Sequence, residues 1–219
     1  MEARFADVHD PVMKDRVVEL LRPSLSAPGA VYVDATLGLA GHAIEVLKDC
    51  PGCRLIGIDR DQDAHEVAEQ RLGDLMSRAT LVHAVHDELP EVLRSLGIDE
   101  VDAILLDLGL SSLQIDRGDR GFSYSVDSPL DMRMDAGDEL TAADVLNTYD
   151  IADLARIIRR NGEERFADRI ARAVVKERDV EPFTTSQRLV RVIADAIPAA
   201  ARHGRGHPAK RTFQALRIE

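Results

Sequence analysis

Two rhythms of hydrophobic and polar positions divide the chain. In the first half, short apolar runs alternate with segments of helical period. Val31-Tyr32-Val33, Arg54–Asp59, Ala79–Ala84 and Asp102–Asp107 read as strands, rich in β-branched and aliphatic residues. Between them, Ala43–Leu47, Ala64–Leu72 and Glu88–Leu96 space their apolar residues as helices do. An earlier helix carries Val17, Val18, Leu20 and Leu21, and Arg22-Pro23 is expected to stop it. Strand and helix alternating four times with short loops predict an α/β fold, a parallel, doubly wound sheet with its strand tips on one edge. After Asp107 the rhythm breaks. Leu108–Asp116 reads as a loop, and Arg117–Arg133 is a long irregular stretch rich in Gly, Ser, Asp and Pro. Helices resume behind Thr141, near Asp150, across Glu163–Glu177, and from Thr184-Thr185-Ser186 to about Pro198. No strand pattern appears from Leu113 to about Thr212, so a helical domain is expected there.

Candidate chemistry gathers at the strand ends. Asp34 closes the first strand, and Gly38 and Gly41 punctuate the loop that leads to His42 and a helix. Strand, glycine loop and helix is the layout of a nucleotide-type site, although no Gly-Lys-Ser/Thr follows and a plain βα turn fits the same residues. Asp59 at the second tip is placed to accept bonds from ribose hydroxyls. Asp107 ends the fourth run. Three carboxylates on one edge favour a ligand with hydroxyls and positive charge. S-adenosyl-L-methionine meets that description better than NAD, which needs a helix N-terminus free for its pyrophosphate. His86-Asp87 follows the third strand, and His86 has two readings, a ring stacked on adenine or a histidine in a surface turn.

Composition narrows the picture. Of the 219 residues 45% are hydrophobic, enough for a sizeable core, and no apolar run is long enough to span a membrane. The acidic start MEARFADVHD lacks the apolar core of a signal peptide, so a cytoplasmic protein is expected. Cys50-Pro-Gly-Cys53 falls in a turn after a helix, without two further ligands for zinc, and reads as a loop with two free thiols. The net charge of −11 is uneven: residues 1–110 carry 21 acids and 10 bases, whereas residues 156–217 carry 15 bases and 7 acids. Such a basic stretch is compatible with nucleic-acid binding or with a solvated, salt-bridged helix surface. Arg156, Arg159, Arg160, Arg165, Arg169 and Arg172 recur there at helical spacing.

Several long motifs occur in a fixed order. They are His9-x-Pro11-Val12-Met13, Asp34-Ala35-Thr36-Leu37-Gly38-x-x-Gly41-His42, Gly57-Ile58-Asp59-Arg60-Asp61 and Leu105-Leu106-Asp107-Leu108-Gly109-x-Ser111-Ser112-x-Gln114-x-Asp116. Arg120-Gly121-Phe122-Ser123-Tyr124, Pro129–Met134, Gly162–Phe166 and His207–Ile218 follow. Together they resemble the RsmH (MraW) methyltransferases along essentially the whole chain. The resemblance implies S-adenosylmethionine-dependent methylation of the exocyclic N4 of a cytidine in the decoding centre of 16S ribosomal RNA. It implies a Rossmann-like methyltransferase core, residues 1–111, an inserted helical RNA-recognition domain, residues 112–212, and a return toward the core at residues 213–219.

For the site, the resemblance puts Gly41 and His42, with Ala40 beside them, at the methionine end of the cofactor. Asp59 holds the ribose, His86 faces the adenine, and Asp107 and Gln114 complete the pocket. No metal is implied. Asp107 is also the candidate acceptor for a proton of the target amine, a role that binding the cofactor alone would replace. Phe122 and Tyr124 read either as a wall for an unstacked base or as packing of the insert. The family loop reads Gly-x-Gly-Gly-His, so Ala40 replaces a glycine, and cofactor affinity suffers if the backbone there needs φ > 0. Family members continue past the position of Glu219 with strands that complete the sheet. An open edge beside the fourth strand, self-association as a homodimer and weak methyl transfer are therefore expected. The alternative from another class is a non-catalytic RNA- or protein-binding module that retains the fold. Titration with S-adenosylmethionine separates the two.

Overall fold

A computed structural model describes residues 11–110, 114, 118–202 and 206–219. The chain divides into two compact units, residues 1–113 and 114–219. Among the described residues no helix is long and apolar enough to cross a membrane.

The first unit runs α1 (Lys14–Leu25), β1 (Val31–Asp34), α2 (Gly41–Asp49), β2 (Arg54–Asp59), α3 (Gln62–Leu72), β3 (Ala79–His83), α4 (Leu89–Ser95) and β4 (Ala103–Leu105). The strands form one parallel sheet in the order β3-β2-β1-β4. Alternation along each strand sends side chains to two faces. Tyr32 and Leu55 pack with Val46 and Leu47 of α2 and Ala68 and Leu72 of α3. Val31, Val33, Ile56 and Ile58 pack with Val92 of α4 on the other face. Covering both faces is what a parallel sheet requires, and the first unit is a Rossmann-like α/β sheet. Register brings Asp34 level with Gly57 and with Leu105, so the tips of β1, β2 and β4 share one edge.

Local chemistry sets the boundaries. The Asp61 carboxylate accepts from Asp63 N at 3.2 Å and caps α3. Pro23 lies inside α1 and does not end it: the helix continues to Leu25, and Ser26 Oγ donates to Arg22 O. A proline this close to the end removes one backbone bond while its φ still suits the last turn. β4 is shorter than its apolar run because β1, its only strand partner among the described residues, ends at Asp34. Ile104, Leu106 and Leu108 are exposed along it. The Arg78 guanidinium donates to Leu47 O, Cys50 O and Cys53 O, closing the carbonyl end of α2 and the turn beyond it. Cys50 and Cys53 are free, buried thiols, and burial raises the pKa of both.

The second unit is helical: α5 (Ala142–Thr148), α6 (Ile151–Arg160), α7 (Ala167–Arg178), α8 (Ser186–Ala196), the short α9 (Ala199–Arg202) and α10 (Lys210–Ile218). Thr141 and Asp144 form a capping box on α5, and Asp150 caps α6. α7 begins at Ala167 rather than at Glu163, because Glu163 sits at φ 52° and the Glu164 carboxylate accepts from Phe166 N at 2.8 Å. Two family motifs meet ahead of these helices. Met132 N donates to Arg120 O, and Arg120 Nη2 donates to Arg133 O and Met134 O. Gly121, at φ 75°, has room only for a hydrogen where a Cβ would lie 2.1 Å from Pro129 O. Of residues 213–219, expected to start a return toward the sheet, 213–218 belong to α10, which packs on α5 and α6, and Glu219 is its C-cap. His9, Ser111, Ser112 and Asp116 of the sequence motifs lie outside the described residues.

Candidate functional site

The carboxyl edge of the sheet holds the predicted site residues of the first unit, on loops stitched to one another by backbone bonds. Leu37 N donates to Ile58 O, Ala35 N to Leu105 O, and Asp107 N to Thr36 Oγ1 at 2.8 Å. The loop after β1 is therefore tied to the ends of both neighbouring strands. Asp59 takes part in this stitching: Oδ2 accepts from Gly38 N at 2.7 Å and Oδ1 from Asp61 N at 2.9 Å. Each carboxylate oxygen carries a second lone pair, so Asp59 keeps acceptor capacity for a ligand.

Ala40, fully buried, stands at φ 58°, ψ 25° just before α2. The position does require a left-handed backbone, and an alanine holds it. Gly41 follows, and a Cβ there would lie 2.5 Å from Pro11 Cγ. Pro11 of the first sequence motif thus seats against the N-terminus of α2, which explains why the two motifs occur together. His42 lies in the first turn of α2 with 8% of its surface exposed. Its Nε2 is 3.6 Å from Asp107 Oδ2, and its Nδ1 is buried without a hydrogen-bond partner among the described residues. The Asp107 side chain is 57% exposed, so its oxygens are open to a ligand.

Asp34 is the residue whose state the sequence did not reveal. It is buried at the centre of the edge, accepting from Tyr32 OH at 3.2 Å and from Thr36 N at 3.3 Å. Burial pushes its pKa up to about 7, the bonds from Thr36 and Tyr32 oppose the rise, and the Asp59 and Asp107 charges add to it. Tyr32 is likewise driven well above its ordinary value, mainly by burial and then by Asp34. Only the level register of three strands places these carboxylates together, which reading one strand at a time does not reveal.

His86 is exposed in the turn His86–Glu88 after β3, on the same edge. Gln114 is buried and belongs to the second unit. In that unit Phe122 is buried, with the Arg120 guanidinium 5.9 Å from its ring centre. Tyr124 stacks on His207 at 4.6 Å and meets the edge of Phe213. Both aromatics are occupied in packing. Arg133 pairs with Asp131 through Nε and Nη2 and donates to Ala136 O and Asp138 O, so it fastens its own loop.

A buried Asp34 carboxyl, an imidazole nitrogen without a hydrogen-bond partner among the described residues and a loop closing on a helix N-terminus meet at a switch point of strand order. This is the edge architecture of a Rossmann-like methyltransferase. The profile of the MraW methylase family matches residues 6–219, and the chain belongs to that family. It is 59% identical over 211 residues to a protein of Parafrankia sp. (strain EAN1pec), covering 96% of this chain and 64% of that one. It is 62% identical over 213 residues to one of Frankia alni, covering 97% and 66%. Both relatives are named ribosomal RNA small subunit methyltransferase H. The chain thus spans 64–66% of the length of these relatives. Among solved structures, a putative rRNA methylase from Clostridium thermocellum is similar at a TM-score of 0.35 and 21% identity, over 45% of this chain and 54% of that one.

Proposed function

We propose that the chain binds S-adenosyl-L-methionine at this edge and serves methyl transfer to the exocyclic N4 of a cytidine in the decoding centre of 16S ribosomal RNA, on the small subunit in the cytoplasm. One observation carries the cofactor reading: Asp34 is buried near the Asp59 and Asp107 carboxylates, with no cation paired to it among the described residues. A sulfonium and an ammonium supply the missing positive charge, whereas a phosphate would add to the repulsion. The names of the relatives support the RNA substrate.

In this reading Asp59 receives the ribose hydroxyls on the lone pairs that Gly38 and Asp61 leave free. Ala40, Gly41 and His42 line the methionine end, and the orphaned His42 Nδ1 gains a partner there. His86 faces the adenine. Bound S-adenosylmethionine supplies an electrophilic methyl group, and alignment with the incoming nitrogen matters more than a strong base. Asp107, exposed at the tip of its run, accepts a hydrogen bond from the cytosine amine and opposes delocalisation of its lone pair into the ring. The base reaches this edge only when unstacked. The exposed run at Ile104, Leu106 and Leu108 beside β4 is the surface on which a second copy of the chain would pair.

Calorimetric titration of the 219-residue chain with S-adenosylmethionine, beside NAD, tests the cofactor. Saturable binding of the first alone is expected, and binding of NAD instead would overturn the reading. Labelled methyl transfer to small-subunit RNA, followed by nucleoside analysis, tests the acceptor atom. A methyl group recovered on any position other than cytidine N4 would refute it.

A further inference from the structure

Resting on the RNA reading above, we infer that the outer face of α7 is the surface that holds the phosphate backbone of the RNA. The helix is amphipathic in an unusual sense. Ala167, Ile170, Ala171 and Val174 are fully buried on one side. At about 100° per residue, Arg169, Arg172 and Lys176 fall within about 60° of arc, diametrically opposite that buried side. All three are exposed, and Arg165, exposed in the turn before the helix, precedes Arg169 by four residues.

The chain has acids to spare, 39 against 28 lysines and arginines, yet none falls within this arc. Asp168 and Glu177 flank it on either side. Asp168 is already held by Arg159 of α6, with Arg172 adding to the field at that carboxylate. Several other arginines are spent on internal partners. Arg156 pairs with Asp153, Arg133 with Asp131 and Arg22 with Asp49. Arg78 and Arg178 donate to backbone carbonyls. By contrast, Arg169, Arg172 and Lys176 make no hydrogen bond and no close ion pair among the described residues. The six arginines of the basic stretch are therefore not equivalent: Arg156 and Arg159 are structural, and the stripe on α7 is free to meet an outside anion.

Phosphate fits the stripe better than a protein surface does. Protein interfaces centre on aromatic and aliphatic anchors, and this arc has none. Long cationic side chains spaced along a helix suit a regular row of charges and position the RNA without reading its bases. The edge that would hold the cofactor is acidic and would repel RNA, so attraction has to come from another surface.

The test uses the full chain and a fragment of small-subunit ribosomal RNA, with affinity measured across a salt series. For the variant Arg169→Gln/Arg172→Gln/Lys176→Gln, affinity should fall at least tenfold at low salt. The slope of log affinity against log salt should become shallower by about one per removed charge. Binding of S-adenosylmethionine should be unchanged. Arg169→Lys/Arg172→Lys should keep the wild-type slope. The control Arg16→Gln/Lys48→Gln/Arg94→Gln alters net charge equally on exposed helices of the first unit and should stay within about twofold. Equal losses in variant and control would reduce the effect to bulk charge and overturn the inference. A triple variant that binds like wild type would move the RNA surface elsewhere and leave the methylation reading standing. Loss on intact small subunits but not on naked RNA would assign the stripe to a protein partner and also overturn it. A wild-type chain that binds no RNA would refute the RNA reading itself, and this inference with it.

Discussion

At the sheet edge, carboxyl groups are restrained: Asp34 is buried, which raises its pKa, and Asp59 is held by two backbone amides. On α7, positive charge is exposed and makes no hydrogen bond or close ion pair among the described residues. The first arrangement is costly in the empty protein and pre-organised, so a small cation is received with little rearrangement. The second costs little, is flexible and is screened by salt, which suits a long polyanion held at many weak points. A buried site gains selectivity from what it cannot tolerate, and an exposed stripe gains reach from what it does not fix.

The sharpest way to break this comparison is to damage one unit alone. Gly121→Ala places a Cβ on Pro129 O at a left-handed position and should destabilise the helical unit by about 4 kcal/mol. Thermal melts followed with and without S-adenosylmethionine should show the second unit failing while the cofactor still binds. Simultaneous loss of cofactor binding would show that the two regions cannot be considered apart.

Next in size is the pH dependence of Asp34. Its folded pKa of about 7 lies above the unfolded value of 3.8, so the folded state keeps a proton that the unfolded state has lost. The stabilisation is therefore complete below about pH 4 and is lost as pH rises through about 7. At 1.36 kcal/mol per pKa unit it amounts to roughly 4 kcal/mol. Asp34→Asn should flatten that part of the pH–stability curve in denaturant melts. It should also abolish a rise in cofactor affinity between pH 6 and 8, where the bound cation replaces the proton. Wild-type affinity independent of pH over that range would remove Asp34 from the charge balance of the site.

Asp59→Ala removes the proposed ribose acceptor and unties Gly38, and cofactor affinity should fall by about 1.5–3 kcal/mol. Asp59→Asn retains one oxygen for the loop amide and should lose less, which separates the two roles by titration. The smallest effect belongs to Ala40→Gly. Relief of a left-handed alanine, on the order of 1–2 kcal/mol, is offset by the greater unfolded freedom of glycine, so a net gain of about 0.5 kcal/mol is expected in a denaturant midpoint. A loss of stability would show that the buried Cβ contributes more by packing than its backbone costs.

Much of the fold was legible because its signals are local. The apolar runs at Val31–Val33 and Arg54–Asp59 became adjacent central strands, and Asp61, Thr141 and Asp150 announced their helices by side-chain caps. What stayed hidden depends on partners distant in sequence. β4 stops where β1 stops, and α7 starts late because of the unusual backbone at Glu163. The acids Asp34 and Asp59 could be assigned to strand ends from spacing alone. The proton on Asp34 could not, since it follows from burial and from carboxylates brought together by strand order. In the same way, spacing grouped six arginines that the structure divides by the acids each one meets.

The three bonds of Arg78 have a consequence for how the native state opens. One guanidinium reaches carbonyls 25 to 31 residues earlier in the chain, across the end of α2 and the turn into β2. That turn and the 3₁₀ segment Gly73–Arg78 therefore cannot fray separately, because release of either strands buried acceptors in the other. In amide hydrogen exchange they should behave as one cooperative unit, with Cys53 and Arg54 exchanging in step with the backbone amides around Arg78. Arg78→Lys, which keeps the charge but not the fork, should split that unit into two independently opening segments.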